Sequence, residues 1–179
     1  MARHYHTHMS EFPHRSETSI VRDLVMQFIP LKSNGLDLGF GGDPICSTAI
    51  AVDLPNKYTH LGHGPQHLYG DATNLYWFKD AVMDYIYSSH LLEDFADTRS
   101  VVAEWVRVLK PGGNLILCLP HEMKYRAHCQ ETGQTYNLAH KCPEMSLGHM
   151  KAVFHELNLE PIFEWEGHPY SFVIVGRKL

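Results

Sequence analysis

The run TRSVVAEWVRVLKPGGNLILCL, Thr98 to Leu119, spells a helix, a stop and a strand in immediate succession. Val101, Val102, Trp105, Val106 and Leu109 fall on one helical face. Lys110-Pro111-Gly112-Gly113 then ends the helix, because a residue before proline avoids the helical region and glycine admits the left-handed turn that closes a helix. Asn114 to Leu119 reads as a strand. Upstream, Gly35 to Phe40 and Ala49 to Leu54 are short apolar runs closed by glycines and by Pro55, the pattern of buried parallel strands. Ala81 to Ser88 is β-branched and aromatic and is the third strand predicted along the chain, after a Gly-, His- and Pro-rich loop at Thr59 to Gly70.

Helices are predicted at Ser16 to Ile29, with Ser16 as N-cap and Pro30 as terminator, and at Met145 to Leu157. Pro161 to Trp165 and Ser171 to Val175 form a terminal hairpin across Glu166-Gly167-His168-Pro169. Strands alternating with helices imply a parallel sheet with right-handed crossovers, to which the hairpin adds one antiparallel strand. Residues 15–179 are expected to form one domain, preceded by a flexible extension over residues 1–14 that carries His4, His6, His8 and His14.

With 179 residues, 44% hydrophobic and 20% charged, the chain has ordinary globular composition. A net charge of -5 and scattered Lys and Arg exclude the basic stripe of a duplex-binding protein, so no long nucleic acid is expected as partner. No apolar run of about 18 residues is present, and none of the four cysteines forms a C-x-x-C pair. A cytoplasmic protein without membrane partner is the expectation.

Ligands of such sheets bind beyond the carboxyl ends of the strands. The first strand ends in Asp37-Leu38-Gly39-Phe40-Gly41-Gly42-Asp43, where missing side chains let the backbone turn and approach a ligand. The second ends in Asp53, a carboxylate able to accept from both hydroxyls of a ribose. Gly70-Asp71-Ala72 follows, with Asp71 placed to accept from an adenine amino group. A nicotinamide dinucleotide is disfavoured, because the third glycine of that fingerprint would fall where Pro44 stands and the ribose acid arrives early.

Together, Leu36-Asp37-Leu38-Gly39-Phe40-Gly41, Val52-Asp53, Gly70-Asp71-Ala72, the segment Tyr87 to Asp94 and Leu109-Lys110-Pro111-Gly112-Gly113 resemble, in order, the motifs of the class I S-adenosylmethionine (SAM)-dependent methyltransferases, type 11 branch. The resemblance covers roughly Gly35 to Leu179. It implies an α/β fold: a Rossmann-like seven-stranded, mostly parallel sheet with the C-terminal antiparallel hairpin and helices on both faces. It also implies a SAM site at Asp37, Gly39, Phe40, Gly41, Asp53, Leu54, Asp71, Ala72 and Ser88. Two departures stand out. Asp43 occupies a position that is often glycine in the family, and only sixteen positions separate Asp37 from Asp53, room for a turn or a truncated helix.

His90, just past the Ala81–Ser88 strand, and His121, just past Pro120, are candidate bases for an acceptor hydroxyl, since an imidazole titrates near neutrality. Tyr125 to Ser146 is the candidate acceptor-side lid. His60, His63 and His67, and His128, Cys129, His140 and Cys142, match no standard zinc spacing, so no metal is expected. The expected activity is methyl transfer to a small-molecule or saccharide (glycan) acceptor, at oxygen. The alternatives are a catalytically silent binding module of the same fold and, more remotely, a nicotinamide-dependent reductase.

Overall fold

The computed structural model describes residues 16–55 and 68–179. The N-terminal histidines and His60, His63 and His67 lie outside the described residues. Seven strands form one sheet: β1 (Gly35–Leu38), β2 (Ile50–Asp53), β3 (Leu68–Tyr69), β4 (Met83–Ser89), β5 (Leu109–Pro120), β6 (Leu159–Trp165) and β7 (Ser171–Lys178), in the order β3-β2-β1-β4-β5-β7-β6. β1 to β5 are parallel, and β7 runs antiparallel to both β5 and β6. The helices are α1 (Glu17–Val25), α2 (Thr98–Val108), α3 (Glu122–Thr132) and α4 (Leu147–Glu156).

The helix-stop-strand unit folds as its sequence implies, with one difference. Asp97 caps α2 by accepting from the Ser100 N–H at 3.0 Å, and Val101, Val102, Trp105 and Val108 are buried. β5 pairs with β4 already from Leu109, and the register shifts so that Met83 faces Leu109 and Tyr85 faces Asn114. Lys110 to Gly113 therefore form a bulge within the strand rather than a loop before it. The last carbonyls of α2 are satisfied from across the sheet, since Lys178 Nζ donates to Val106 and Leu109 at 2.7 Å each.

Side chains alternate between two covered faces. Ile86, Leu115 and Leu117 pack with Trp105 of α2 and Phe154 of α4, whereas Tyr85, Tyr87, Ile116 and Cys118 pack with Val21 and Val25 of α1. On the α1 face no helix links β1 to β2, and residues 39–49 form a loop whose Ile45 and Ala49 join the core. Two tyrosine rings fill the space. A Cβ on Gly35 would overlap the Tyr85 ring at 2.1 Å, so glycine there admits the ring. The buried hydroxyls find partners in Cys46 Sγ (3.4 Å from Tyr85) and Thr18 Oγ1 (3.2 Å from Tyr87).

One expectation is corrected. The strand at Ala81–Ser88 is the fourth, because the two-residue β3 pairs Val52 and Asp53 with Leu68 and Tyr69 inside the stretch read as loop. It is too short to show any periodicity. The stretch Tyr125 to Ser146, the candidate lid, begins within α3. That helix is polar on most faces, burying only Glu122, Tyr125 and Cys129, and it ends at Gly133 in the left-handed conformation.

Candidate functional site

Three glycines with positive φ, Gly39 (70°), Gly41 (57°) and Gly42 (90°), lead the chain out of β1. A Cβ on Gly39 would come within 2.7 Å of Leu91, whereas one on Gly41 would meet only the Gly39 carbonyl at 4.0 Å. The loop is thus packed tightly at Gly39 and open at Gly41, a shape that allows close approach of a ligand. β2 holds it there, because the Gly39 N–H donates to Val52 O (2.8 Å) and the Gly41 N–H to Asp53 Oδ2 (2.9 Å).

Asp43, the departure from the family pattern, has a structural explanation. Its carboxylate accepts from the Arg22 guanidinium at 2.5 Å and from the Ser16 hydroxyl, which fastens the start of α1 to the glycine loop. Arg22 also donates to the carbonyls of Pro44 and Ile45, each at 3.2 Å. Asp37 is buried in β1, with Oδ2 accepting the Ile45 N–H at 2.5 Å and Oδ1 without a partner among the described residues. Burial, aided by the neighbouring Asp43 and only partly offset by the Ile45 N–H, pushes its carboxyl up to about 8.

Phe40 is buried and Leu54 exposed. Asp71 is exposed and accepts from the Thr73 N–H and hydroxyl (2.8 and 2.7 Å), forming a local turn. Ala72 is anchored from below by the Trp105 indole, whose N–H donates to its carbonyl at 2.7 Å. An open cleft of about 370 Å³ lies beside this turn, lined by Thr73, Asp94, Phe95, Asp97, Ser100 and Lys141. Ser88 is buried and donates its hydroxyl to Leu38 O at 2.9 Å, so that hydroxyl ties β4 to β1.

Beyond β4 and β5 lies a second polar group. His90 takes a positive φ of 49°, unusual for a residue with a side chain, and its N–H extends the ladder to Cys118 O at 2.9 Å. Its Nε2 is 3.0 Å from Ser171 Oγ and its Nδ1 is 3.6 Å from Glu93 Oε1. Burial pushes the imidazole down to about 4 and raises the Glu93 carboxyl well above the usual carboxylate range. His121 sits at the start of α3 with its backbone N–H on Tyr170 O (2.6 Å) and a buried Nδ1 without a partner.

Sequence reasoning missed three residues of this group. Glu93 lies between His90 and His140, whose Nε2 is 3.8 Å from Glu93 Oε1. His140 Nδ1 is in turn 2.9 Å from Glu122 Oε2. Burial acts to raise the Glu122 carboxyl, but hydrogen bonds from Tyr136, His140 and Arg126 outweigh it and hold the group below its ordinary value. The spacing His90-x-x-Glu93 at a strand end was a readable signal. The pairing of Glu122 with His140 was not, because it depends on how residues 133–146 return to the sheet.

Of the buried side-chain atoms without a partner among the described residues, Asp37 Oδ1, Glu93 Oε2, Asp94 Oδ1 and His121 Nδ1 all lie at the carboxyl ends of β1, β4 and β5. Buried polar groups are rarely left in this state unless a ligand or water completes them. The positions fall in two places, the glycine loop and the ends of β4 and β5.

The methyltransferase domain family Methyltransf_11 matches residues 36–117, from β1 into β5, which takes in the glycine loop, Asp53, Asp71 and His90. That stretch, a little under half of the chain, is similar to the type 11 methyltransferase domain. Similar folds include a SAM-dependent methyltransferase from Archaeoglobus fulgidus (TM-score 0.69, 16% identity, covering 90% of this chain and 94% of that one). Others are SAM-dependent methyltransferases from Mesorhizobium loti (0.68, 13%, 91% and 98%) and Methanosarcina mazei (0.65, 18%, 87% and 97%). At these identities the likeness is one of fold. No protein of curated function matches the sequence. The matched residues and the fold agree with the motif order of the SAM-dependent methyltransferases.

No helix among the described residues is long and apolar enough to cross a membrane. Among those residues one group, Cys142, Glu144 and His149, brings metal-ligand atoms within 4.8 Å of one another. Within it, burial pushes the Cys142 thiol up to about 11, and His149 Nε2 pairs with the Thr98 hydroxyl at 2.9 Å.

Proposed function

We propose that this protein is a SAM-dependent methyltransferase that moves the methyl group of SAM to a hydroxyl of a small-molecule or saccharide acceptor. The observation that carries the reading is the pair of incompletely satisfied polar regions side by side at the strand ends. One, at Asp37 and the glycine loop, suits a cationic nucleoside. The other, at His90, Glu93 and His121, suits a hydroxyl. A net charge of -5 argues against a long nucleic acid as acceptor.

Bound SAM supplies an electrophilic methyl group on sulfur. In this reading the open backbone at Gly39 to Gly41 accommodates the cofactor, Asp53 accepts from its ribose hydroxyls, and Asp71 with Ala72 receives the adenine. Phe40 and Leu54 add apolar contact, while Ser88 holds β4 at the spacing the site requires. Asp37 would be ionised by the cofactor's positive charge and attract it. His90 or His121 takes the hydroxyl proton, although alignment of the acceptor with the methyl group supplies much of the acceleration. A cytoplasmic location, with residues 15–179 as one catalytic domain, belongs to the same proposal.

The test is transfer of label. Incubation with methyl-labelled SAM and a cell extract should give a labelled small molecule together with stoichiometric S-adenosylhomocysteine. Label found only in protein or nucleic acid, or no label transferred while SAM binds, would overturn the reading, the last result in favour of a silent binding module.

A further inference from the structure

Glu93 lies in the turn just after β4 with its side chain only 2% exposed, yet Oε2 has no partner among the described residues and Oε1 stands between two imidazoles at 3.6 and 3.8 Å. A buried acid in this condition destabilises the fold unless it is used. Its surroundings are built with care. The Glu93 carbonyl accepts the N–H groups of Lys141 (2.8 Å) and Cys142 (3.1 Å), which fixes the chain carrying His140 against the end of β4. His140 has a side chain 4% exposed and is gripped at Nδ1 by Glu122, itself 1% exposed. The other Glu122 oxygen accepts from Arg126 Nε at 2.6 Å and the Tyr136 hydroxyl at 2.5 Å. A carboxylate surrounded by donors accepts only, so His140 must donate from Nδ1 and turn Nε2 toward Glu93.

We infer that Glu93, braced by the Glu122–His140 pair, is a positioning residue for methyl transfer that holds His90 with Nδ1 protonated and Nε2 free to receive a hydroxyl proton. The Ser171 hydroxyl lies 3.0 Å from that Nε2, so the acceptor hydroxyl takes the place this contact now holds. The inference rests on the hydroxyl-acceptor reading above. In the step itself the acceptor oxygen forms the O–C bond as the C–S bond of SAM breaks and its electron pair stays on sulfur. The hydroxyl proton passes to His90 Nε2, and the Glu93 carboxylate faces the resulting imidazolium at Nδ1. Glu93 must be ionised for this. The groups that act on it are His90 at the end of β4, the adjacent Asp94, His140, Glu122 of α3 and Glu17 of α1.

The test has two arms on the full chain. Long-range proton–nitrogen correlation of the ¹⁵N-labelled protein at neutral pH reads the tautomers directly. Nδ1–H forms of both His90 and His140 are expected, and in Glu93→Gln the His90 signals should move while those of His140 stay. An Nε2–H tautomer at His90 would overturn the inference. In the second arm, the initial rate of label transfer from methyl-labelled SAM into small molecules of a cell extract should fall about 100-fold in Glu93→Gln. SAM affinity should remain within about twofold, and Glu93→Asp should recover part of the rate. The wild-type rate should rise with pH above the ordinary carboxylate range, and that limb should vanish in Glu93→Gln. A wild-type rate and pH profile in the variant, or parallel loss of SAM affinity, would contradict the role. Should the wild type transfer no label to a small molecule, the activity reading falls, and the tautomers still decide whether Glu93 orients His90.

Discussion

Asp37 links folding, cofactor and pH through one carboxyl. Its folded value of about 8 lies above the ordinary 3.8, so the stability it contributes is complete below that ordinary value and is lost as pH rises through about 8. The cofactor-free protein should therefore lose thermal stability between about pH 4 and 8 from this group, and Asp37→Asn should flatten that part of the profile. SAM carries positive charge and favours the ionised form, so binding near pH 7 should release a proton. Titration calorimetry in two buffers of different ionisation enthalpy checks this, and equal heats would refute it. At Asp43, replacement by Ala frees Arg22 and Ser16 and should cost about 1–3 kcal/mol in denaturant unfolding. Glycine, the residue frequent in the family, should not restore that loss. The role of Asp43 could not be read locally, because its partners lie 21 and 27 positions earlier.

Elements with a strong period were legible, and those without one were not. α1, α2, α4, β1, β2 and the hairpin follow from capping residues and apolar spacing, each near its expected limits. β3 escaped because two residues hold no pattern, and α3 because a narrow buried stripe of Tyr125 and Cys129 lies among polar side chains. The loop that stands in for a crossover helix on the α1 face makes a prediction of its own. Gly35→Ala would force a methyl group into the Tyr85 ring and should destabilise the protein by about 1–3 kcal/mol, while Tyr85→Leu in the same chain should recover part of the loss. Thermal melts of the single and double variants measure it. Additive losses would show that the ring is not what excludes a side chain at position 35.

Across the whole molecule, every residue singled out for chemistry sits at one edge of the sheet, because parallel strands deliver their carboxyl ends to the same side. β7 contributes from its beginning, since it runs antiparallel to β5 and pairs Ser171 with Pro120. The proposed cofactor side of this edge rests on residues that motif order alone singled out. The acceptor side was readable only at His90 and His121, as Glu93, Glu122 and His140 acquire their meaning from three segments meeting in space. The central claim is that this edge binds SAM through the loop joined to Asp53, and titration calorimetry of SAM into the wild type and Asp53→Ala tests it most directly. The account predicts saturable binding by the wild type and affinity lower by about 10–100-fold in the variant, the loss expected for hydrogen bonds to a charged group. No heat of binding at millimolar SAM, or equal affinity in the two proteins, would contradict it.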